Sequence, residues 1–173
     1  MDASTETVRR QIIALLPRLR RFALTLTGQP SDADDLVQDT VERALRHLHQ
    51  WEQGTRLDSW MFRIAQNLFI DQLRAKKRSS AVIANSFDGA ERVGFDGAAR
   101  AESRIAFADT IDALHSLPAD QRSAVALVLI DGMSYRDAAQ ALEIPIGTLT
   151  SRLARAREAL ATRVLGRKAE SES

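Results

Sequence analysis

Along residues 8–27, VRRQIIALLPRLRRFALTLT, apolar side chains recur at Ile12, Leu15, Leu16, Leu19, Ala23 and Leu26. Steps of three and four predict an amphipathic helix. Pro17 lies inside it and predicts a kink or a fresh start. GQPS at 28–31 predicts a turn. Ser31 with Asp34 has the spacing of a capping box, with Asp for the usual Glu. The helix after it is expected to run to about His49, with Ala33, Val37, Val41, Ala44 and Leu48 along one stripe. WEQGTRLDS at 51–59 breaks the period. Asp58 or Ser59 is expected to cap the next helix, SWMFRIAQNLFIDQLRAKKR, whose apolar side is Met61, Ile64, Ala65 and Leu68. Its end is basic, at Arg74, Lys76, Lys77 and Arg78, which favours any helix C-terminus and alone proves little.

Residues 79–101, SSAVIANSFDGAERVGFDGAARA, hold three glycines and no sustained period, and predict a flexible linker between two helical domains. FDGA occurs there twice, each copy suiting a turn. Periodicity resumes with ESRIAFADTIDALHSL. PADQRSAVALVLIDG follows and stops at Gly132, as helices commonly do. Ser134 and Asp137 mark a second capping-box start, for SYRDAAQALEI. A turn at Glu143–Pro145 then leads into IPIGTLTSRLARAREAL. That layout fits a helix-turn-helix. The fold class expected is all-α: two small helical domains, 1–78 and 102–168, joined by the linker 79–101, with a tail at 169–173.

In the last helix Leu149, Leu153, Ala156 and Leu160 share one side, which buries together. Thr148, Ser151, Arg152 and Arg155 share another, expected to be exposed. The chain of 173 residues has a formal net charge of only +1. Yet 147–168 carries six basic residues and a single acid, Glu158, so the near-zero total hides a local basic surface. Arginines can grip phosphate or chelate guanine O6 and N7, short hydroxyls approach base edges, and a helix N-terminus attracts phosphate. The basic face is therefore read as one that docks in the major groove of DNA, against the bland alternative of a solvated helix.

Composition narrows the remaining classes. Hydrophobic residues make up 45% of the chain, enough for packed cores. There is no cysteine, which excludes disulfides, thiolate metal sites and a cysteine nucleophile, and suits a reducing compartment. MDASTETVRRQ holds no apolar signal core, and no apolar run approaches the roughly 18 residues of a membrane span. A cytoplasmic protein without a membrane span is expected. His47 and His49 lack companions for a tetrahedral metal site. No Walker-type phosphate loop or nucleophile elbow is present. No enzyme activity, metal or cofactor is expected.

GMSYRDAAQALEIPIGTLTSRLARAREAL resembles region four of bacterial sigma factors of the extracytoplasmic-function group. SDADDLVQDTVERALRHL and LDSWMFRIAQNLFIDQLRAKKR resemble region two of the same proteins, and LPADQR at 117–122 matches the start of region four. The resemblance covers roughly 8–78 and 105–165. It implies a dissociable promoter-specificity subunit of bacterial RNA polymerase: region two binds the core enzyme and opens the −10 element, and region four binds the −35 element as duplex. Carried residue by residue, it gives Asp34, Asp35, Leu36, Gln38, Asp39 and Arg43 to the polymerase contact. Residues 51–58, with Gln53, Gly54 and Thr55, match the loop that captures a flipped base. Asn67 and Asp71 match −10 contact positions, although the charge of Asp71 repels phosphate. Arg63, Arg74 and Lys77, with Lys76 and Arg78, would supply charge to a single-strand channel. Trp60 matches a family tryptophan and is expected in the core. Thr148, Thr150, Ser151, Arg152 and Arg155 fall to the −35 element. Many members carry Lys or Arg where this chain has Thr150, so the promoter sequence does not transfer.

The resemblance also implies an anti-sigma partner that would occlude both domains. Two other classes stay open at this point. A sigma-like decoy would bind only an anti-sigma protein and leave no promoter footprint with core polymerase. A self-sufficient helix-turn-helix regulator would bind duplex without polymerase, usually as a symmetric dimer. No dimerisation element is evident, and a monomer is expected.

Overall fold

The computed structural model describes residues 3–82 and 111–171, with side chains described for 6–79 and 111–163. Helix α1 (Ala3–Thr27) takes Pro17 on its exposed side and continues through it without a break. It stops at Gly28, whose φ of +76° suits glycine. Helix α2 spans Pro30–Arg46. Here the structure corrects the expected cap. Gln29 is the N-cap, in extended conformation and without a side-chain cap, and Pro30 occupies the first turn. Proline there loses no hydrogen bond and has its φ already set, so no Ser31–Asp34 box is needed. The helix also ends earlier than His49, giving way to a 3₁₀ turn at Leu48–Gln50. Helix α3 (Leu57–Val82) starts before Asp58 and Ser59 and runs past the expected boundary at 78. Asp58 lies within the first turn and not at the N-cap: its Oδ1 accepts the amide of its neighbour Ser59 at 2.8 Å, and both its oxygens accept from arginines described below.

These three helices form a bundle. Ile12, Leu19, Phe22, Ala23 and Leu26 of α1 are buried, with Ala33, Leu36, Thr40 and Ala44 of α2. Trp60, Met61, Phe62, Ala65 and Phe69 of α3 complete that layer. Trp60 is thus core, as expected. Phe22 and Phe62 meet edge-on with ring centroids 5.1 Å apart, a favourable aromatic geometry. The expected stripes were displaced by about one residue on α2 and α3, where Val37, Val41, Ile64 and Leu68 are only partly buried.

After the residues not described, a helical stretch at 111–115 leads to α4 (Ala119–Val125), which continues as a π-helical turn at Ala126–Ile130. Gly132, at φ +75°, reverses the chain. Helix α5 (Tyr135–Ala141) is capped as expected: Ser134 Oγ accepts the Asp137 amide at 3.1 Å and donates to the Asp137 carboxylate at 2.7 Å. Glu143, at φ +55°, makes the turn. Helix α6 (Ile146–Ser171) then buries Leu149, Leu153 and Ala156, with Leu160 partly covered. Among the described residues there is no strand. The linker residues 83–101 and both FDGA copies lie outside the described residues.

The two helical units lie against each other. His115 sits over the α1–α2 turn so closely that a Cβ on Gly28 would come within 2.4 Å of its Nε2. Arg122 of α4 donates to His115 Nδ1 at 3.0 Å and lies 5.8 Å from the Phe69 ring centroid of α3. Gly28→Ala therefore meets two penalties, positive-φ strain and displacement of the His115 ring. Gly132→Ala meets only the strain, because nothing lies within 4 Å of its added Cβ. The expected outcome is a loss of about 1 kcal/mol at Gly132 and clearly more at Gly28, read as a further drop in Tm of a few degrees. Equal melting of the two variants would show that His115 does not pack on Gly28.

Burial, and then the Arg122 charge, hold His115 below its ordinary pKa; Asp112 and the Thr25 carbonyl oppose this. Nε2 finds no partner of good hydrogen-bond geometry. Above the unfolded value of 6.5 both states carry neutral imidazole and the contribution is constant. Below it the unfolded chain binds a proton that the folded chain resists, so stability falls as pH drops. Urea unfolding between pH 7 and pH 5 should show that loss, and His115→Asn should flatten it.

Candidate nucleic-acid and polymerase interfaces

The start of α6 is set by the Glu143 turn. Pro145 lends its carbonyl to the Leu149 amide at 3.1 Å. With Leu149 and Leu153 buried to 1% exposure or less, the rotation of the helix is fixed, and Thr150, Ser151 and Arg155 stand on its open side. Thr148 and Arg152 do not share that open side as expected. They lie on the flank toward α4, half-buried, and Arg152 Nε reaches Asp120 at 3.1 Å. The cause is the position of the leucine stripe: a 100° step per residue carries 148 and 152 closer to it than 151 and 155. Two hydroxyls are tied to the helix itself. Thr150 Oγ1 donates to the Ile146 carbonyl, and Ser151 Oγ donates to the Thr148 carbonyl, each at 2.9 Å. Ile146 is half-exposed beside them.

On the N-terminal bundle, the loop before α3 exposes Gln53, Gly54 and Thr55. Gly54 takes φ +91°, and Thr55 Oγ1 donates to the Glu52 carbonyl at 2.6 Å. Between this loop and α1 runs an open groove lined by Gln11, Ala14, Leu15, Trp51, Gly54 and Thr55, among others. Its α1 side was not legible in the sequence, because no local pattern says which face of α1 a distant loop covers. Asn67 and Asp71 are exposed one turn apart on α3, and Asp71 pairs with Arg74 at 3.5 Å. Lys77 and Arg78 are exposed; Lys76 reaches Asp32 of α2 at 3.5 Å.

Helix α2 presents Asp34, Asp35, Gln38, Asp39 and Arg43 outward. Leu36 is corrected: it is fully buried, a side chain that holds the helix on the bundle and has no surface for a partner. Glu42 joins the exposed row by accepting from Gln38 Nε2 at 3.0 Å, and the half-exposed Leu45 and the exposed Arg46 extend it. The spacing of four from Gln38 could have found Glu42. Asp34 accepts from Arg20 Nε at 2.6 Å, and that hydrogen bond holds its carboxyl below the ordinary range.

Two residues of the candidate −10 surface are engaged by the helix-turn-helix unit. Arg56 pairs with Asp58 at 2.7 Å and with Asp137 of α5. Arg63 reaches Glu143 at 3.5 Å. Arg56 escaped the sequence reading, since nothing local distinguishes it within the loop. Burial alone would raise Asp58, but hydrogen bonds from Arg56 and the Ser59 amide, with the charges of Arg56 and Arg18, outweigh it and hold the group low. Among the described residues no three His, Asp or Glu side chains are grouped to hold a metal ion, and no helix is long and apolar enough to cross a membrane.

Comparison with known proteins matches this layout. Residues 12–79 match Sigma-70 region 2, and residues 108–160 match Sigma-70, region 4. The chain is 37% identical over 156 residues to the ECF RNA polymerase sigma factor EcfG of Rhodopseudomonas palustris, covering 90% of this chain and 84% of that protein. The structure is similar to the sigma factor RpoE bound to the anti-sigma factor NepR from Bartonella quintana. The TM-score is 0.78 at 34% identity, over 90% of this chain and 94% of that one. It is also similar to CnrH in complex with the cytosolic domain of CnrY, with a TM-score of 0.63 at 25% identity, over 93% and 86%. The chain belongs to the extracytoplasmic-function RNA polymerase sigma factors of the sigma-70 family and is an alternative sigma factor.

Proposed function

We propose that the two units divide promoter recognition between them. The bundle α1–α3 (region two) binds core polymerase through the exposed row Asp35, Gln38, Asp39, Glu42, Arg43 and Arg46, and opens the −10 element. The unit built on α4–α6 (region four) lays the open side of α6 into the −35 duplex. The observation that carries this reading is the rotation of α6: its buried leucines turn Ser151 and Arg155 outward at the first turns of the recognition helix of a helix-turn-helix. On α2 the acids come early and the arginines late, a distribution that suits a charged partner helix.

On α3, Asn67 can pair with a base edge as donor and acceptor at once. The groove beside Gly54 and Thr55 is open enough to take an unstacked base, which offsets the few kcal/mol of unstacking. Lys77, Arg78 and Arg74 would track the strand, with Asp71 orienting Arg74 rather than touching phosphate. Thr148 and Arg152, on the flank, would contact the DNA backbone and brace α6 through Asp120. No chemical step falls to the chain; bond formation stays with the polymerase, and the protein works as a cytoplasmic, non-enzymatic specificity subunit. By analogy with the RpoE–NepR and CnrH–CnrY complexes, an anti-sigma protein is its expected regulator.

Run-off transcription with bacterial core polymerase on a randomised promoter library tests this directly. Added protein should yield transcripts sharing two spaced upstream elements. Arg155→Glu should lower −35-dependent initiation at least about tenfold, the cost of one lost bidentate contact or phosphate contact, while leaving polymerase binding intact. Asp39→Arg should do the reverse, abolishing co-migration with core enzyme. Normal initiation by Arg155→Glu would mean that another face of α6 meets DNA.

A further inference from the structure

Helix α6 carries a second row of exposed side chains beside the one that holds Ser151 and Arg155. Ile146, Thr150 and Ala154 follow one another at steps of four, which sets them in line along the helix, and all three are exposed. With about 100° between successive residues, the row lies on the edge away from Thr148 and Arg152. Arg157, at a similar angle about three turns on, reaches Tyr135 Oη of α5 at 3.4 Å, so this edge is the one toward α5. Ile146 is 51% exposed, more than any other large apolar side chain described between 111 and 163. Thr150 Oγ1 donates to the Ile146 carbonyl at 2.9 Å, which turns its proton to the backbone and leaves its γ-methyl to add to the apolar surface. The row holds no charge, although Arg152 and Arg155 stand on the other edge and the open side of the same turns.

We propose that Ile146, extended by the Thr150 methyl, is a specificity-determining residue that packs on the C5-methyl group of a thymine in the −35 duplex. The proposal rests on the reading that the open side of α6 faces that duplex. A single exposed isoleucine is ordinary. This one heads an uncharged row at the first turn of the recognition helix, the end whose side chains meet base edges in a helix-turn-helix. The occupant follows from charge: residues 147–168 hold six basic residues and one acid, so the surface around the row suits a polyanion. The apolar group that a base edge presents in the major groove is the thymine methyl, and short aliphatic side chains are its usual partners. An apolar side chain on a basic helix therefore has a matching target in DNA, and burying the two together removes both from water.

The test removes that methyl from the DNA and leaves the base pairing as it was. Promoters recovered from the randomised library are rebuilt with deoxyuridine in place of each −35 thymine in turn, on either strand. They then compete in run-off transcription by holoenzyme made from core polymerase and the full chain. Wild-type holoenzyme should lose about threefold to fivefold in promoter affinity at one or two of these positions, the value of burying one methyl group. Deoxyuridine between the two elements should change nothing. Ile146→Ala should lose about as much on the thymine promoter and lose nothing further on the deoxyuridine one. Ile146→Val keeps a branched apolar end and should keep most of the preference. A library selected with the Ile146→Ala holoenzyme should accept other bases where the wild type demands thymine.

Selected −35 elements without thymine, or a deoxyuridine loss that Ile146→Ala leaves undiminished, overturns the proposal. So does an Ile146→Ala defect equal on both DNAs and matched by weaker binding to core enzyme, which would put a protein surface on the row instead. Arg155→Glu keeps the two levels distinct. Loss of −35-dependent initiation in that variant without any deoxyuridine effect in the wild type leaves α6 on the duplex and removes Ile146 alone from the base edge. Insensitivity to both changes removes this whole side of α6 from DNA, and the proposal falls with it.

Discussion

The arrangement of the two units depends on one guanidinium. Arg18 leaves α1 beside the Phe62 ring, 5.5 Å from its centroid, and reaches two carboxylates belonging to different units, Asp58 and Asp131. Hydrogen bonding to Asp131 outweighs burial and raises its pKa above an already high value, so the charge is permanent. A permanent charge under partial cover needs its partners, and a buried Asp131 needs Arg18 equally. That mutual requirement fixes where the π-helical turn and Gly132 must sit relative to α1. The position of α5 then follows, and with it the approach of Asp137 and Glu143 to α3.

The second contact between the units has opposite chemistry. Arg122 lies over Phe69, with no carboxylate in ion-pair reach among the described residues, and desolvation lowers its pKa. His115 packs on a glycine. This contact is packing, a cation over a ring and a hydrogen bond to His115, under cover from solvent, whereas the contact around Arg56 and Arg63 is charge in water. The two together give the contact between the units a covered side and a solvent-exposed side.

Much of the fold was legible in one sequence because it is local. Apolar spacing marked α1, α2, α3 and α6, and Ser134 with Asp137 marked the start of α5. The errors were local as well. Ser31 and Asp34 had the spacing of a cap, but Pro30 sets the helix start before them. Leu36 fell within a motif of exposed partner residues, yet its angle on α2 turns it into the core. What could not be read was long-range. Arg18 is one of five arginines between residues 9 and 21, and nothing nearby says that its partner lies 113 positions away. The same holds for Arg56 and Asp137, 81 apart. A lone sequence records periods and caps; pairings across units come from packing, which needs the whole chain.

The hydroxyls of α6 carry a consequence for base selection. Thr150 and Ser151 have already spent their protons on helix carbonyls, so toward DNA they offer lone pairs alone. In that rotamer they can accept the amino hydrogens of cytosine N4 or adenine N6, and donating to guanine O6 or thymine O4 requires them to release the helix carbonyl. Arg155 has the converse limitation, donating to acceptors and accepting from none. On the proposed duplex face the resting hydroxyls would therefore favour amino groups and the arginine would favour ring-nitrogen and carbonyl acceptors, a bias set by which proton the helix backbone holds.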